Sequence, residues 1–386
     1  MENVKGFQDF SGEEALKREK VREIIIKDFK LYGFEPAETP VIEQEEFVKS
    51  GNANDEAISD IFKLKDKGER NLALRYEFTF QLSRLAKNKK LPYKRYQIGE
   101  VFRDEPVSSN RFRQFTQADA DIVGISVKDE AELLTMASRI LKELGIDAEI
   151  KINNRKLVNE ILDSEKIKDK DNVIKEIDKL DKLTEEEVKK NLKKYKAEKI
   201  LAIFKKPEKY FERFESFKEI KELEKYCNFY NIKVSFQPSL ARGLSYYNSS
   251  IFEIKSSDMK ETIAAGGSYM IKEFQSSGIS FGIERMSQLA KIKIDEKRIL
   301  IIAIGSDKED KEAMKISEKL RNAGIPCMII YGRPSKALEY ANTLGIPKAL
   351  FIGSEELKKK KIKIKDMKTG KEELVSEGEI EKKLKD

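Results

Sequence analysis

The sequence predicts an α+β protein: an antiparallel sheet flanked by helices, with a helical insertion and a C-terminal α/β domain. Two regions, 70–124 and 239–283, alternate apolar and polar residues as half-buried strands do. The segment from 155 to 235 is rich in lysine and glutamate and almost free of glycine, which favours helices. After residue 297, strand and helix patterns alternate, as they do in a mostly parallel sheet. The predicted domain boundaries are 1–153 and 236–296 for the sheet domain, 154–235 for the insertion and 297–386 for the α/β domain.

The predicted sheet domain begins with a helix at 12–32, which has apolar residues at helical spacing and ends before Gly33. Three strands follow, at 72–79, 95–103 and 115–122, and each has one apolar face and one face of polar or charged side chains. We therefore expect a sheet whose back covers a core and whose front lines a polar cleft. In the first strand, the apolar face is expected to hold Leu72, Leu74, Tyr76 and Phe78, and the polar face Arg75, Glu77 and Thr79.

The second half of the predicted sheet has a strand at 278–283 in which isoleucine and phenylalanine alternate with glycine and serine. This small face lets a bulky group lie flat against the strand. The other predicted strands of this half are at 239–254 and 263–269, and a helix begins near Glu284. The C-terminal domain is predicted to contain strands at 299–304, 326–331 and 349–352, helices near 309–322 and 335–343, a hairpin at 361–376 and a short final helix.

The composition limits the chemistry. Lysine and arginine number 76 and aspartate and glutamate 69, so the net charge of +7 permits a polyanionic partner without requiring one. The chain has no histidine, which excludes a Ser-His or Cys-His pair, an imidazole base and a His-ligated metal. Cys227 and Cys327 have no second thiol near them in sequence, which disfavours a zinc site or a disulfide. No apolar run is long enough to span a membrane, and we expect a cytoplasmic protein.

The most specific stretch is Gly99–Glu105 followed by Arg111–Gln117, which read GEVFRDE and RFRQFTQ. A strand that ends in Phe-Arg-x-Glu, a loop and a returning strand resemble motif 2 of class II aminoacyl-tRNA synthetases. The chemistry is suitable, because an arginine on the cleft face can bind a phosphate with two hydrogen bonds. A charged surface hairpin would explain a lone Arg-x-Glu, but it leaves the alternation of faces unexplained.

Two further segments occur in the order that this family requires. Gly33-Phe34 through Thr39-Pro40 resembles motif 1, whose proline lies at a dimer interface. Gly282–Arg285, which reads GIER and opens a helix, resembles motif 3. Each of these is weak alone, since such short patterns recur by chance, but together with motif 2 they span some 250 residues in the family's order.

Three segments resemble the histidine-specific parts of histidyl-tRNA synthetases: ARGLSYY at 241–247, AGGSY at 265–269 and LRYEFT at 74–79. Ile177–Lys182 and Ala118–Asp121 resemble segments of archaeal and eukaryotic members. The resemblance implies a homodimer that uses ATP and Mg²⁺ to charge tRNA(His) with L-histidine through a histidyl-adenylate. It implies no metal ligand from His or Cys, with Mg²⁺ bound together with ATP.

The resemblance also implies a role for each matching residue. Arg103 and Arg242 would be catalytic, on opposite sides of the α-phosphate. A fold-stabilising ion pair is the simpler alternative for Arg242, and core packing is the simpler alternative for Tyr247. Five residues are implied to bind ATP. Arg103 would bind the α-phosphate, Glu105 the adenine amino group and Phe115 the adenine ring. The outer phosphates would be bound by Arg111 and Arg285. The implied histidine-binding residues are Glu77, Thr79 and Gln117 for the ammonium, Asp121 and Tyr247 for the two ring nitrogens, and Tyr269.

The chain also departs from the family pattern, and two rival hypotheses remain. A non-catalytic paralogue that regulates histidine biosynthesis has this fold, but it generally lacks the C-terminal domain and the ATP-binding arginines. A synthetase for threonine, proline or glycine shares the anticodon-domain type, but not the segment at 241–247. The departures are Ser245 for an aspartate, Tyr76 for a proline, Thr116 for a histidine, and Ser268 and Met270 for an arginine and an aspartate.

Overall fold

The structure is a computed structural model of the chain, and it describes residues 2–50, 59–108, 110–242, 246–294 and 297–385. Ser245, with the two residues before it in the predicted histidine-specific segment, lies outside the described residues. The chain separates into two compact units, Met1–Ile292 and Lys293–Asp386.

The first unit contains a sheet domain with helices inserted into it. Its elements up to the insertion are α1 (Gly12–Leu31), β1 (Glu35–Pro36), β2 (Ile42–Gln44), α2 (Glu45–Ser50), β3 (Lys63–Lys65), β4 (Asn71–Leu74), α3 (Thr79–Leu85), β5 (Tyr93–Phe102), β6 (Gln114–Val123), α4 (Val127–Glu143) and β7 (Glu149–Asn154). The elements that follow are α5 (Arg155–Ser164), α6 (Lys170–Asp178), α7 (Glu185–Leu192), α8 (Ile200–Phe204), α9 (Phe217–Phe229), β8 (Ser235–Phe236), β9 (Tyr247–Lys255), β10 (Ala264–Ile271), β11 (Phe274–Gly282) and α10 (Ile283–Leu289).

The main sheet has, among the described residues, eight strands in the order β1-β5-β6-β11-β10-β9-β7-β8. Its inner pairs are antiparallel, while the edge pairs β1–β5 and β7–β8 are parallel. The predicted antiparallel sheet flanked by helices is therefore confirmed. The register places Gly278 and Gly282 of β11 beside Asp121 and Gln117 of β6, so small residues border the carboxylate strand.

Helices α1 and α4 cover the back of this sheet. Val21, Ile25 and Phe29 of α1 are fully buried in one apolar core with Ala120 and Ile122 of β6. Glutamates in the first turn of α1 and a lysine in its last turn match the helix dipole. The predicted helix at 12–32 is confirmed, and its apolar face is the one that the spacing indicated.

The insertion between β7 and β9 is helical, as predicted. Val158, Ile174, Val188 and Phe217 from its helices are buried in the same continuous core as the residues behind the sheet. A capping box formed by Thr184 and Glu187 begins α7. The insertion therefore packs directly on the sheet's core, and its limits as a domain, 154–235, stay a prediction.

The predicted strand at 72–79 is wrong in its second half. Strand β4 ends at Leu74 and belongs to a small separate sheet with β2 and β3. The chain then crosses to the main sheet, where the Arg75 carbonyl accepts a hydrogen bond of 3.0 Å from the backbone N–H of Phe102, and Thr79 begins α3. Because the backbone changes partner here, strict alternation fails, and Tyr76 lies at the front of the sheet rather than in the core behind it.

The second unit is a small α/β domain. Its sheet has the order β13-β12-β14-β15-β16, with the first three strands parallel and the last two antiparallel, so the predicted mostly parallel sheet and C-terminal hairpin are confirmed. Its elements are β12 (Ile299–Ile304), α11 (Asp307–Asn322), β13 (Cys327–Tyr331), α12 (Pro334–Thr343), β14 (Lys348–Gly353), α13 (Ser354–Lys359), β15 (Lys361–Asp366), β16 (Glu372–Ser376) and α14 (Ile380–Lys385).

Candidate active site

A cavity of about 720 Å³ lies at the front of the main sheet. It is bordered by β6, β9, β10 and β11, by the segment before α3, by the loop that joins β5 to β6 and by the end of α6. All twelve side chains that the sequence proposed for the site line this one cavity: Glu77, Thr79, Arg103, Glu105, Arg111, Phe115, Gln117, Asp121, Arg242, Tyr247, Tyr269 and Arg285.

One end of the cavity is acidic. Asp121 forms an ion pair with Arg95, whose side chain is fully buried, at 2.9 Å, and it accepts a hydrogen bond from the Tyr269 hydroxyl. Burial and the neighbouring Asp121 carboxylate raise the pKa of Asp119 to about 8, although Arg95 and Ser280 act in the opposite direction. Burial also raises the pKa of Asp121, against the effects of Arg95 and Tyr269. The sequence interpretation missed Asp119 and Arg95, although the alternation had placed both on the polar face.

Buried oxygens without hydrogen-bond partners face the same end. Gln117 donates from its amide nitrogen to the Ser280 hydroxyl at 2.8 Å, and this contact leaves its Oε1 without a partner. Asp119 likewise has one oxygen, Oδ1, that is buried without a partner. Unpaired buried acceptors are costly, and a ligand with several N–H donors satisfies them. This end of the cavity therefore suits an ammonium or a nitrogen heterocycle.

Three tyrosines form the wall next to these carboxylates. The ring centroids of Tyr246 and Tyr247 are 4.8 Å apart, and those of Tyr246 and Tyr269 are 5.6 Å apart. Burial raises the pKa of Tyr247 to about 12, so its hydroxyl is neutral at physiological pH and can donate or accept a hydrogen bond. Tyr246, which the sequence interpretation left unassigned, lies with its hydroxyl 3.3 Å from Glu77 Oε2.

The other end of the cavity is rich in arginine. Arg103 lies against the rings of Tyr76 and Phe115, with its guanidinium carbon 4.2 and 5.1 Å from their centroids. Arg285 donates to the Thr262 carbonyl at 2.7 Å. Burial and the nearby Arg111 and Arg103 lower the pKa of Arg285, while Glu261 opposes them. Guanidinium groups that are held close enough to disfavour one another's charge form a site for a polyanion.

Arg111 and Glu105, both proposed for ATP, form an ion pair with each other. Both side chains belong to the loop between β5 and β6 and line the cavity. This pairing places the Glu105 carboxylate and the Arg111 guanidinium at the same part of the wall, and it fixes both until a ligand offers better partners.

Arg242 is held by the insertion as well as by the sheet. Its Nη1 lies 3.4 Å from Glu253 of β9, and its carbonyl accepts a hydrogen bond of 3.1 Å from Arg155 of α5. Burial alone would lower the pKa of Arg242, but Asp178 at the end of α6 is the strongest of the neighbours that raise it overall. Asp178 belongs to the segment at 177–182 that resembles an insertion motif, so the helical insertion contributes a charged group to the wall of this cavity.

Two of the residues that depart from the pattern of the resemblance, Thr116 and Ser268, form buried hydrogen bonds. The Thr116 hydroxyl accepts a hydrogen bond of 3.1 Å from Arg18 of α1, and its backbone N–H donates to Glu284 at 3.0 Å. Arg18 and Glu284 form an ion pair of 2.9 Å. This buried network connects the segment that resembles motif 2 to the one that resembles motif 3, at the position where the resemblance implies a histidine. Ser268 is buried and donates to Glu130 behind the sheet.

The described residues offer neither a metal-binding cluster nor a membrane-spanning helix. No group of three or more His, Cys, Asp or Glu side chains is arranged to hold a metal ion within the described ranges. None of the described helices has the length and apolarity needed to cross a membrane. Both cysteines are free thiols.

Comparison with known proteins identifies the family. Residues 6–286 match the family model for histidyl-tRNA synthetase, and residues 298–386 match that for an anticodon binding domain. The chain is 33% identical over 415 residues to histidine--tRNA ligase 1 of Bacillus cereus, an alignment that covers 96% of the chain and 94% of the relative. The crystal structure of histidyl-tRNA synthetase from Nostoc sp. PCC 7120 is similar, with a TM-score of 0.84 at 24% identity. The match covers 100% of the present chain and 98% of the Nostoc chain.

A Bacillus halodurans structure described as an ATP phosphoribosyltransferase regulatory subunit/histidyl-tRNA synthetase is also similar, with a TM-score of 0.76 at 18% identity, covering 91% of the chain and 97% of its own. That identity is low enough to show the shared fold alone. The family model and the B. cereus relative, in contrast, extend over most of the sequence. The chain belongs to the histidyl-tRNA synthetase family.

Proposed function

We propose that this chain charges tRNA(His) with L-histidine in an ATP-dependent reaction that proceeds through a histidyl-adenylate. One observation supports the assignment most directly: a single cavity joins an arginine-rich end, suited to a polyphosphate, to an end of carboxylates and tyrosines, suited to histidine. The two substrates of the first step would thus meet within one enclosed space, which removes most of the entropic cost of bringing them together.

Arg103 and Arg242 act on the first step. A carboxylate oxygen of histidine forms a bond to the α-phosphorus of ATP as the bond to the β-phosphate breaks and pyrophosphate leaves. Negative charge builds on the α-phosphate oxygens in the transition state, and the two guanidinium groups stabilise it from fixed positions. Both side chains are held before substrate binds, Arg103 by aromatic rings and Arg242 by Glu253.

The acidic end recognises histidine. Glu77, Thr79 and Gln117 bind the ammonium, and Gln117 contributes the amide oxygen that lacks a partner in the protein. Asp121 accepts a hydrogen bond from one ring nitrogen, and its carboxylate is held in place by Arg95 and Tyr269. Tyr247 binds the other ring nitrogen. A pocket that pairs both nitrogens rejects analogues without them by roughly 10⁴-fold or more, so no editing domain is needed.

The remaining residues hold the nucleotide. Phe115 stacks on adenine, and Glu105 accepts from the adenine amino group. Arg111 exchanges its ion pair with Glu105 for contacts to the outer phosphates, which Arg285 also binds. Mg²⁺ bound together with ATP would neutralise part of the phosphate charge. The arginines at this end of the cavity also carry positive charge that offsets the charge of the phosphates.

The second step transfers histidine to tRNA. A terminal ribose hydroxyl of tRNA(His) attacks the carbonyl carbon of the adenylate, and AMP leaves. Because the chain has no imidazole, oxygens of the bound ligands take the hydroxyl proton. Residues 297–386 bind the anticodon, and Lys358–Lys361 is a candidate phosphate contact, although a solvated lysine run is the simpler explanation of that segment. The protein works in the cytoplasm as a homodimer.

Arg242→Ala tests the proposed mechanism. We expect it to abolish histidine-dependent ATP–pyrophosphate exchange while circular dichroism shows an unchanged fold. Arg70→Ala, which removes an exposed arginine that forms an ion pair with Asp66, is the matched control and should exchange normally. An unchanged exchange rate in Arg242→Ala would refute the role of that residue.

The alternative of a regulatory paralogue without catalysis is less well supported. The chain keeps the arginines proposed for ATP around one cavity, and it matches an anticodon-binding model over residues 298–386. Pyrophosphate exchange measured with each amino acid in turn separates the hypotheses. Exchange with histidine alone supports the proposal, exchange with another amino acid identifies a different synthetase, and no exchange with any supports the paralogue.

A further inference from the structure

Tyr76 occupies a position where the resemblance has a proline, and its ring lies against the proposed catalytic Arg103. The guanidinium carbon of Arg103 is 4.2 Å from the centroid of the Tyr76 ring, nearer than the 5.1 Å that separates it from the Phe115 ring. Tyr76 lines the catalytic cavity although only 6% of its surface is exposed. The departure from the family pattern thus places a second aromatic face on Arg103.

The ring is anchored on its other sides. Tyr76 packs with Val48, Ile61 and Ala73 in a small cluster of its own. The preceding residue, Arg75, donates to the carbonyls of Glu100 at 2.7 Å and Thr39 at 2.9 Å, which fixes the backbone beside Tyr76. A ring held this firmly defines where a cation on its face will rest.

Aromatic partners hold an arginine in a different way from carboxylate partners. Arg111, Arg95 and Arg242 each face a carboxylate, which occupies N–H donors and offsets their charge. No ion pair of Arg103 is found in the ranges that the structure describes. A ring face attracts the guanidinium cation while leaving the N–H groups at its edge available, and those groups are the ones that bind phosphate in a fork. Arg103 Nε is buried without a partner, in keeping with this arrangement.

We propose that Tyr76 is a positioning residue that holds Arg103 in place for the α-phosphate of ATP. Proline cannot do this, because it has no aromatic face. The inference rests on the role proposed for Arg103 above. It concerns the nucleotide, so the effect of losing the ring falls on ATP and on the rate of adenylate formation, and binding of histidine is unaffected.

The first experiment compares three variants in histidine-dependent pyrophosphate exchange. Tyr76→Phe keeps the ring and should stay within about twofold of wild type, whereas Tyr76→Leu should lower kcat/KM for ATP by about tenfold with an unchanged KM for histidine. Phe80→Leu is the matched control, because Phe80 packs against the same small cluster and should leave exchange unchanged. The proposal is overturned if Tyr76→Leu matches wild type, or if Tyr76→Phe is as impaired as Tyr76→Leu.

A second experiment does not depend on the stability of Tyr76→Leu. Phenylalanine with one, two and three ring fluorines is placed at position 76, which weakens the ring's attraction for a cation while nearly preserving its shape. We expect the logarithm of kcat/KM for ATP to fall steadily with each fluorine. An equal value across the series would show that the ring only fills space.

Arg103→Gln separates this inference from the role proposed for Arg103. If Arg103→Gln exchanges pyrophosphate like wild type, the role proposed for Arg103 fails and the inference fails with it. If Arg103→Gln is impaired, Tyr76→Leu added to it should cost nothing further in kcat/KM for ATP, because the residue acts through Arg103. A further tenfold loss in the double variant would overturn the inference alone.

Discussion

The two units of the chain treat buried polar groups differently. In the second unit no buried side-chain nitrogen or oxygen lacks a hydrogen-bond partner in its described part, and buried Ser317, for example, donates to the Met314 carbonyl at 2.7 Å. In the first unit such atoms are concentrated at the front of the sheet. They belong to Arg95, Gln97, Arg103, Gln117, Asp119 and Arg242, among others.

The described part of the second unit satisfies its buried polar groups internally, as a structural scaffold does. The front of the first unit leaves such groups unpaired, as a ligand-binding site does. Each unpaired buried polar atom costs about 1–3 kcal/mol, so the front of the sheet destabilises the first unit before substrate binds. The same atoms need no rearrangement when substrate arrives, which favours binding and catalysis. Substitutions at the front should therefore reduce activity strongly, while comparable substitutions in the second unit should not.

Gly278→Ala is expected to have the largest effect. A Cβ at this position would lie 2.0 Å from Asp121 Oδ1 and would displace the carboxylate from Arg95 and Tyr269. Misplacing a binding group by about 1 Å costs on the order of 100-fold in rate, and we expect a loss of that size in kcat/KM for histidine. Steady-state pyrophosphate exchange measures it.

Gly378→Ala in the second unit is the matched control, because a Cβ there meets no atom within 4 Å. It should exchange pyrophosphate like wild type. Normal exchange by Gly278→Ala would mean that Asp121 does not read the imidazole, and the acidic end would then need another role.

Asp119 should make histidine binding depend on pH, with a smaller effect. Its pKa of about 8 means that the carboxyl is mostly protonated at neutral pH. Raising the pH through 8 adds a negative charge two residues along β6 from Gln117, beside the proposed ammonium site. KM for histidine should therefore fall several-fold between about pH 7 and about pH 8.5, and Asp119→Asn should remove this fall. A pH dependence that persists in the variant would assign it to another group.

Glu130, behind the sheet, should affect stability and not catalysis. Burial raises its pKa from 4.5 to about 7, although hydrogen bonds from Ser250 and Ser268 lower it. Between these values the unfolded chain loses the proton and the folded chain keeps it, so this group makes the free energy of unfolding fall as pH rises from about 4.5 to about 7. Urea unfolding of Glu130→Gln across this range should show a shallower decline, with exchange activity retained.

Glu309 of the second unit should change the free energy of unfolding with pH in the opposite direction to Glu130. Hydrogen bonds from the backbone and hydroxyl of Ser306 lower its pKa, so its contribution to stability is lost as the pH falls. Glu309→Gln should therefore lower the free energy of unfolding at pH values above the pKa of Glu309. It should leave unchanged the fall in the free energy of unfolding that we attribute to Glu130. If Glu130→Gln declined as steeply as wild type, the buried carboxyl would not be the cause.

Much of the fold follows from local patterns in the sequence. The helix α1 and the β5–β6 hairpin have periodicities that depend only on residues near one another in the chain, and the structure contains both. The residues proposed for the site came from segments with family-specific patterns, and all of them line one cavity. Their individual roles stay predictions until the variants are measured.

The features that sequence patterns missed depend on distant partners. Tyr76 was expected in the core because alternation was extended through Arg75, but the chain leaves one sheet for another there. Asp178 lies 64 residues before Arg242, and no local pattern indicates that the insertion returns to that arginine. Ser268 could be recognised as unusual, yet its hydrogen bond to Glu130 becomes visible only when α4 is packed on the sheet.

The network of Arg18, Thr116 and Glu284 has a consequence for how the protein is made. Arginine, threonine and glutamate form this network without an imidazole, and none of the 386 residues is a histidine. Translation of these residues consumes no histidyl-tRNA. A shortage of charged tRNA(His) therefore cannot stall a ribosome at any of these 386 codons.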